Sequence, residues 1–588
     1  MKRVNLLNFL IVTCLVAAMG CVKKRNLNEN TLMVHILAEP QSLHPTNNNS
    51  NYQRLLLSLM HRRLVGTDLR NQLPIPELLA SLPQLQPDSM SHILKLRHNA
   101  RWDNGQAITA KDLIFTFKIQ ACLLTGNPDV KVYLNNIKSI EEIPGDSLAV
   151  KVNNSRRHFD YTNFYTIFYA LPEYFYDSQH LLSAFSFEQL TDAAWIEKAP
   201  EKVKIFFDQF NHPDNGRIAN KMNGAGPYRL FNWDSGKSIT LIKKENWWGK
   251  SDTSVYQQAF PEKIIFRIER EMESVILNFK KENYDVSADL STNALLKLQK
   301  RDYFNNNYES AFIPTFSYTY MGLNMKPDAS KIPFFTDVLV RRAIALATPT
   351  DEIIALIAKT KAIKLPSFIT PMQADYDTSL PILDYDLAQA AALLDQAGWI
   401  DRNNDGVREK VIQGVRRDFR FELIYPQSPV TKEVGLILKN SYKKIGVALE
   451  GRTLDFGLYI KQLSTHDFDA CLGSWSSSAA PENPAQIWHS SSWANQGSNF
   501  VGFGTAQSDS LIDLANQTMD LNKRKLLMQK IQRLIYEQQP YVFLFAATKK
   551  VAVHKRFDNR GIYAEKNHVI LNNLKLNPAF SPPTIGMP

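Results

Sequence analysis

Two hydrophobic rhythms alternate along the chain. Short apolar or alternating runs read as strands: "TLMVHILAE" (Thr31–Glu39), "HILKLR" (His92–Arg97), "SITLIKKE" (Ser238–Glu245) and "KIIFRIE" (Lys263–Glu269). Longer runs repeat near 3.6 residues and predict amphipathic helices: "YQRLLLSLMHRRLVG" (Tyr52–Gly66), "AKDLIFTFKIQACLL" (Ala110–Leu124) and "TDVLVRRAIALA" (Thr336–Ala347, capped by Thr336 or Asp337). In "TPTDEIIALIA" Thr348 is expected to cap, with Pro349 in the first turn and Asp351 at capping-box spacing. "DLAQAAALLDQAG" has Asp386 to start a helix and Gly398 to stop it, and Pro540 ends the last helix, "NKRKLLMQKIQRLIYEQQP". Strands and helices interleaved in this way predict a mixed α/β protein.

At 588 residues the chain exceeds one compact core, so two or three domains are expected. With 44% hydrophobic and 21% charged residues it is ordinary globular material. The N-terminus changes the picture. Lys2 and Arg3 precede an apolar run, Leu6 to Ala18, too short to span a bilayer comfortably. It ends in Ala17-Ala18-Met19-Gly20-Cys21, like a lipobox whose Cys21 is diacylated. A plain signal peptide cut near Gly20 is the alternative. Residues 1–20 are therefore expected to be a signal peptide with lipobox, and 21–30 a polar tether to the membrane. Cys122 and Cys471 remain, read as two separate buried thiols.

The net charge of +10 is spread along the chain, so no nucleic-acid partner is expected. No GxxxxGK[ST], HExxH, CxxC or GxSxG motif is present. Among the twelve His, the closest pair, His92 and His98, is expected on the surface of a strand. "DRNNDGVREK" (Asp401–Lys410) opens like a calcium loop, with Asp, Asn and Asp at positions 1, 3 and 5 and Gly at 6. Position 12 is Ile412, where an EF-hand needs a bidentate Glu, so turn chemistry is expected there. The expectation is a protein that is not an enzyme, with no cofactor and no metal site.

Several blocks in order resemble the family 5 extracellular solute-binding proteins, the oligopeptide-, dipeptide- and nickel-binding components of ABC importers. "EPQSLHPTN" (Glu39–Asn47) is similar to the family's opening loop, with His44 where an Asp is usual. "LPIPELLASL" (Leu73–Leu82) and "LKLRHNARWDNGQAITAKDLIFTFK" (Leu94–Lys118) resemble its signature. "GAGPYRLFNWDSGKSITLIKKENWWG" (Gly224–Gly249), "VLVRRAIALA" (Val338–Ala347), "YDLAQAAALLDQAGW" (Tyr385–Trp399), "SDSLIDLA" (Ser508–Ala515) and "RKLLMQKIQRLIYEQQPYVFLF" (Arg524–Phe545) follow the same order. The resemblance implies a two-lobed α/β periplasmic binding protein of type II, cluster C. Lobe I would take 31–270, with an extra subdomain at about 70–210. Lobe II would take 271–545, and 546–588 would return to lobe I.

It further implies a monomeric lipoprotein of the bacterial periplasm or cell envelope. That protein would bind a peptide or peptide-like ligand in the cleft and deliver it to an ABC permease complex. In the peptide binders an Asp shortly after a Trp holds the ligand's ammonium. Here, in "GSWSSSAAPENPAQIWHSS" (Gly473–Ser491), Trp475 is present but Ser478 stands at the acid's place. A desolvated ammonium needs a carboxylate. Either Glu482 or Asp469 takes over, or the ligand has no ammonium there, or Glu482 is the direct counterpart. The remaining candidate ligand contacts are Asn47, Asn48, Asn49 and Ser50 after the first loop, Ser476 beside Trp475, the aromatics Tyr320 and Trp488, and Asn499 in "GSNFVGF". A nickel or metallophore binder, or a sensor or chaperone without its own permease, would share the fold.

Overall fold

The structure, a computed structural model, describes residues 25–46, 50–125, 134, 136–329, 331–494 and 497–580. The expected signal peptide, Cys21 and most of the tether lie outside them, as do Asn47, Asn48 and Asn49. One twelve-stranded sheet runs through the described chain. Its order is Ala448–Leu454, Arg420–Pro426, Ala470–Trp475, Tyr318–Leu323, Tyr541–His554, Val286–Ser287, Thr31–Ile36, Lys263–Ile268, Ser238–Lys243 and Tyr228–Asp234. Tyr308–Pro314 and Ala362–Ile363 also pair with Tyr541–His554.

The long strand Tyr541–His554 belongs to both halves of this sheet. Its first residues pair with Tyr318–Leu323, and its last seven pair with Tyr308–Pro314. The chain thus crosses between lobes at 315–317 and again at 546–547. Thr315 Oγ1 donates to Ala547 O across the two crossings at 2.9 Å. The stretch after the boundary expected at 270 stays with the first half of the sheet. Residues 272–314 pack on the first lobe: Val275, Phe279, Leu295 and Phe304 form one buried cluster with Ala552. The strand Val286–Ser287 is inserted between Thr31–Ile36 and Tyr541–His554.

A separate four-stranded sheet, built on Ser91–Lys95 and Asp146–Asn154, carries the helix Ala110–Ala121 and its own core. Thr109 and Asp112 cap that helix reciprocally. These elements fall in the stretch expected at about 70–210 as an extra subdomain. The second lobe packs Val338–Leu346, Leu387–Gln396 and Pro429–Lys443 on its half of the sheet.

Local departures have local causes. The helix expected to reach Gly66 ends at Met60, because Gly226 N–H takes the Met60 carbonyl at 2.9 Å. A Cβ at Gly226 would meet Leu59 O at 2.5 Å, so the "NGAGPY" turn needs its glycine there. Thr348 does not cap its helix; its hydroxyl donates back to Ile344 O at 2.8 Å, and Pro349 stands at the cap. His92 is buried, not on the surface, stacked on Tyr161 at 5.2 Å. Cys122 and Cys471 are both buried and neither is in a disulfide.

Candidate functional site

The two lobes touch each other along the cleft. From lobe II, the loop after Ala470–Trp475 reaches lobe I, where Ala479 N–H donates to Glu565 Oε2 at 2.7 Å. Lys566 Nζ lies 3.4 Å from the Ser476 carbonyl. On the other flank Phe159 of the extra subdomain docks on lobe II. Its N–H donates to Asn516 O at 2.9 Å, and the Arg524 guanidinium lies 3.7 Å over its ring.

Glu482 sits at the centre of this junction. Its carboxylate accepts hydrogen bonds from the Ser477 hydroxyl and, at 3.2 Å, from Gln373 Nε2. Burial pushes this carboxyl up, while Ser477, Gln373 and the positive charges of Lys566 and Arg524 pull it down. Across the cleft burial pulls the Lys566 ammonium down, helped by Arg54 and opposed by Glu565 and Glu482. The loop is held from behind by Arg524, which donates to the Glu482 carbonyl and pairs with Asp375 at 2.6 Å. The site therefore sets a half-buried acid on one lobe against a half-buried base on the other.

Next to it, from Asn483 onward, a cavity of about 450 Å³ opens between the extra subdomain and lobe II. His92, His158 and Asp160 line one wall, and Asn483, His489 and Asp513 the other. Burial pushes Asp160 up to about 6 and His158 down to about 4, the latter with help from Arg156 and Arg524. His489 lies 3.9 and 3.7 Å from the carboxylates of Asp509 and Asp513.

A family model described as "Bacterial extracellular solute-binding proteins, family 5 Middle" matches residues 74–498. The chain belongs to this family. Its members are solute-binding proteins rather than enzymes. Two curated relatives are the oligopeptide-binding protein AppA of Bacillus subtilis and the dipeptide-binding protein of Escherichia coli. The first is 21% identical over 90% of this chain and 88% of its own; the second is 22% identical over 84% and 85%. The solved structure of B. subtilis AppA in complex with a nonapeptide superposes with a TM-score of 0.74 at 19% identity, covering 93% of this chain and 99% of that one. NikZ from Campylobacter jejuni in complex with Ni(L-His) gives 0.71 at 20% identity, covering 93% and 99%. These likenesses establish a two-lobed type II binding-protein fold. No helix among the described residues is long and apolar enough to cross a membrane.

In this family 5 chain the expected ligand contacts separate into two groups. Glu482, Ser476, Ser478 and Trp475 come together on the cleft loop. Trp475 is half-buried and stacks on Phe500 at 6.0 Å. Ser478 Oγ is turned inward, accepting from Ala480 N–H at 3.3 Å. Tyr320, Trp488 and Asn499 belong instead to the interior of lobe II. Tyr320 is stacked against Tyr541 at 3.8 Å, and Trp488 is fully buried. Asn499 spends its side chain on His489 O, Phe503 O and Phe503 N–H, bracing its own loop. Ser50 caps the helix Asn51–Met60 by accepting from Gln53 N–H. Asp469, the other acid considered, is turned away onto Glu422 N–H at 3.0 Å.

Gln373, Ser477, Lys566 and Arg524 escaped the sequence reading. Only Arg524 carried a signal: with Met528, Ile531 and Ile535 it falls on the buried stripe of its helix. Lys566 and Gln373 lie far from Glu482 in sequence and are joined to it only by the fold.

Proposed function

We propose that this protein captures peptides or peptide-like solutes between its lobes and delivers them to an ABC permease. It works as a monomer anchored at the cell envelope through a lipid on Cys21. Lobe I is taken as 31–314 with 548–580, and lobe II as 318–545. The observation that carries the reading is Glu482: a half-buried carboxylate at the lobe junction, opposite Lys566, in the loop after Trp475. A ligand ammonium entering the cleft finds an acceptor already oriented by Ser477 and Gln373. A ligand carboxylate finds Lys566 and Arg54 on the other side. Closing the lobes removes both pairs from water and strengthens them.

The test is calorimetric titration of the chain from residue 22, which keeps Arg25 on Asp285, with free and N-acetylated peptides. Free peptides bind, and N-acetylation and Glu482→Gln each weaken binding about tenfold to hundredfold, the span of one lost charge-assisted contact. Equal affinity for free and acetylated peptides would overturn the ammonium assignment. A metal-chelate solute is a second reading: His92, His158 and His489 line the cavity, but no three such side chains among the described residues converge on one point, so the solute itself would bring most of the metal's ligands. Binding of Ni²⁺ with free histidine, and of no peptide, would establish that reading instead.

A further inference from the structure

The Asp401–Lys410 loop was set aside as a cation site because Ile412 occupies the twelfth position. In the structure Asp401 Oδ2 accepts from Gly406 N–H at 3.0 Å, Asn403 Oδ1 from Asp405 N–H at 3.2 Å, and Asp405 Oδ1 from Val407 N–H at 2.8 Å. These bonds alone describe a turn. Two further atoms do not fit one.

Glu409 begins a short strand, Glu409–Ile412, and pairs its backbone with Ile400. Its carboxylate folds back on the head of the loop. Oε1 accepts from Arg402 N–H at 2.9 Å and from Arg416 at 2.6 Å. Glu409 is only 1% exposed, and its Oε2 is enclosed without a hydrogen-bond partner. Asp401 Oδ1, one residue from Arg402, is enclosed and unpartnered too. Two enclosed carboxylate oxygens are destabilising unless water or a cation meets them.

We propose that this loop binds a divalent cation of the calcium class, with Asp401, Asn403, Asp405, the Val407 carbonyl and Glu409 as oxygen donors. Positions 1, 3, 5 and 7 follow the calcium-loop spacing, and the closing acid comes from position 9 rather than 12. An all-oxygen donor set selects a hard cation over nickel or zinc. Among the described residues no three acidic or imidazole side chains yet converge on one point. Asp405 Oδ2 is turned onto Asn403 Nδ2 at 2.8 Å, a contact that a bound cation would have to replace. Arg402 and Arg416 hold Glu409 in place and also repel a cation. The affinity therefore belongs to the weak extracellular class, about 0.1–1 mM.

The test uses the chain from residue 22, which keeps Arg25, stripped with EDTA and titrated with CaCl2 by calorimetry, and with Tb³⁺ by luminescence excited through Trp399. One site per chain is expected, weakened at least about tenfold by Asp401→Asn and by Asp405→Asn. Asp405 is exposed, so its variant keeps the fold, which circular dichroism checks. Glu409→Gln is read alongside, with its urea midpoint separating lost binding from lost folding. Failure to bind Ca²⁺ up to about 10 mM, tenfold beyond that class, would overturn the proposal. So would calcium binding and Tb³⁺ signals unchanged in the Asp401 and Asp405 variants.

Discussion

The two lobes are held together by different chemistry. In the first, a buried ionic knot joins three distant parts of the chain. Asp285 and Arg556, both fully buried, pair at 2.7 and 3.0 Å, and Arg25 adds a third contact at 2.5 Å. Asp285 also accepts from Met33 N–H, and Arg556 donates to the carbonyls of Leu27, Glu29 and Thr31. Burial alone would push Asp285 up; Arg25 and Arg556 overcome it and hold the carboxyl at about 2. The second lobe is centred on stacked aromatics, Tyr320 on Tyr541, with Trp488 and Phe543 around them. Of its two buried arginines, Arg341 meets carbonyls, Gln538 at 2.7 Å and Phe335 at 2.8 Å, and only Arg524 pairs with an acid, Asp375 at 2.6 Å, from the same stretch of chain. A lobe assembled from residues near 25, 285 and 556 needs contacts that discriminate between partners. The second lobe is drawn from one nearly continuous stretch and is held mainly by apolar burial.

The largest effect expected follows from that difference. Asp285→Ala leaves two guanidinium groups without their acid and destabilises the first lobe by about 3–5 kcal/mol. Urea unfolding should then split into two transitions, with the second lobe's midpoint unchanged. A single shifted transition would show that the lobes unfold as one unit. Tyr541→Leu, on the other side, removes the stacked ring and costs about 2–4 kcal/mol. That loss should appear in the second lobe's transition.

Acid sharpens the contrast. Of the twelve His, only His466 and His489 lie in the second lobe, both half-buried. In the first lobe, burial lowers His61 to about 3 and His92 to about 4, and both His61 ring nitrogens are enclosed without partners. Both values lie below that of a free imidazole, so the unfolded chain takes up protons first. The stability these groups allow is fully present above about pH 6.5. It is lost as pH falls toward 4 for His92 and toward 3 for His61. At pH 5 each accounts for about 2 kcal/mol. Urea midpoints at pH 7 and pH 5 should differ mainly in the first lobe's transition, and His92→Asn should flatten that dependence.

The same contrast explains what the sequence could reveal. Period-two and period-3.6 patterns locate Thr31–Ile36, Ala110–Ala121 and Leu387–Gln396 because each element answers to its own neighbours. The lobe boundary near 315 was not legible. Tyr308–Pro314 reads like any strand, and only its pairing with the last seven residues of Tyr541–His554 assigns it to the first lobe. Glu482 was marked as a candidate, since a carboxylate was wanted near Trp475. Its partners were not, because Gln373 and Lys566 carry no local mark of where they meet it. Tyr320 and Trp488 were misread for a related reason: an aromatic near the cleft in sequence can equally fill the interior beneath it.

The smallest effect concerns how the lobes meet. Phe159 is 6% exposed, and its ring lies under Arg524 of the other lobe. That contact joins the extra subdomain to lobe II, so its free energy is expected to belong to the closed state rather than to either lobe's folding. Phe159→Leu keeps most of the apolar volume and removes the ring that faces the guanidinium, a loss of about 1 kcal/mol. It should weaken ligand affinity about fivefold by depopulating the closed form. Small-angle scattering of the ligand-free variant should show a larger radius than wild type, with both urea transitions in place. If affinity falls and the first lobe's transition falls with it, the ring stabilises the subdomain itself. Phe159 would then belong with Asp285 as a first-lobe fastening rather than with closure.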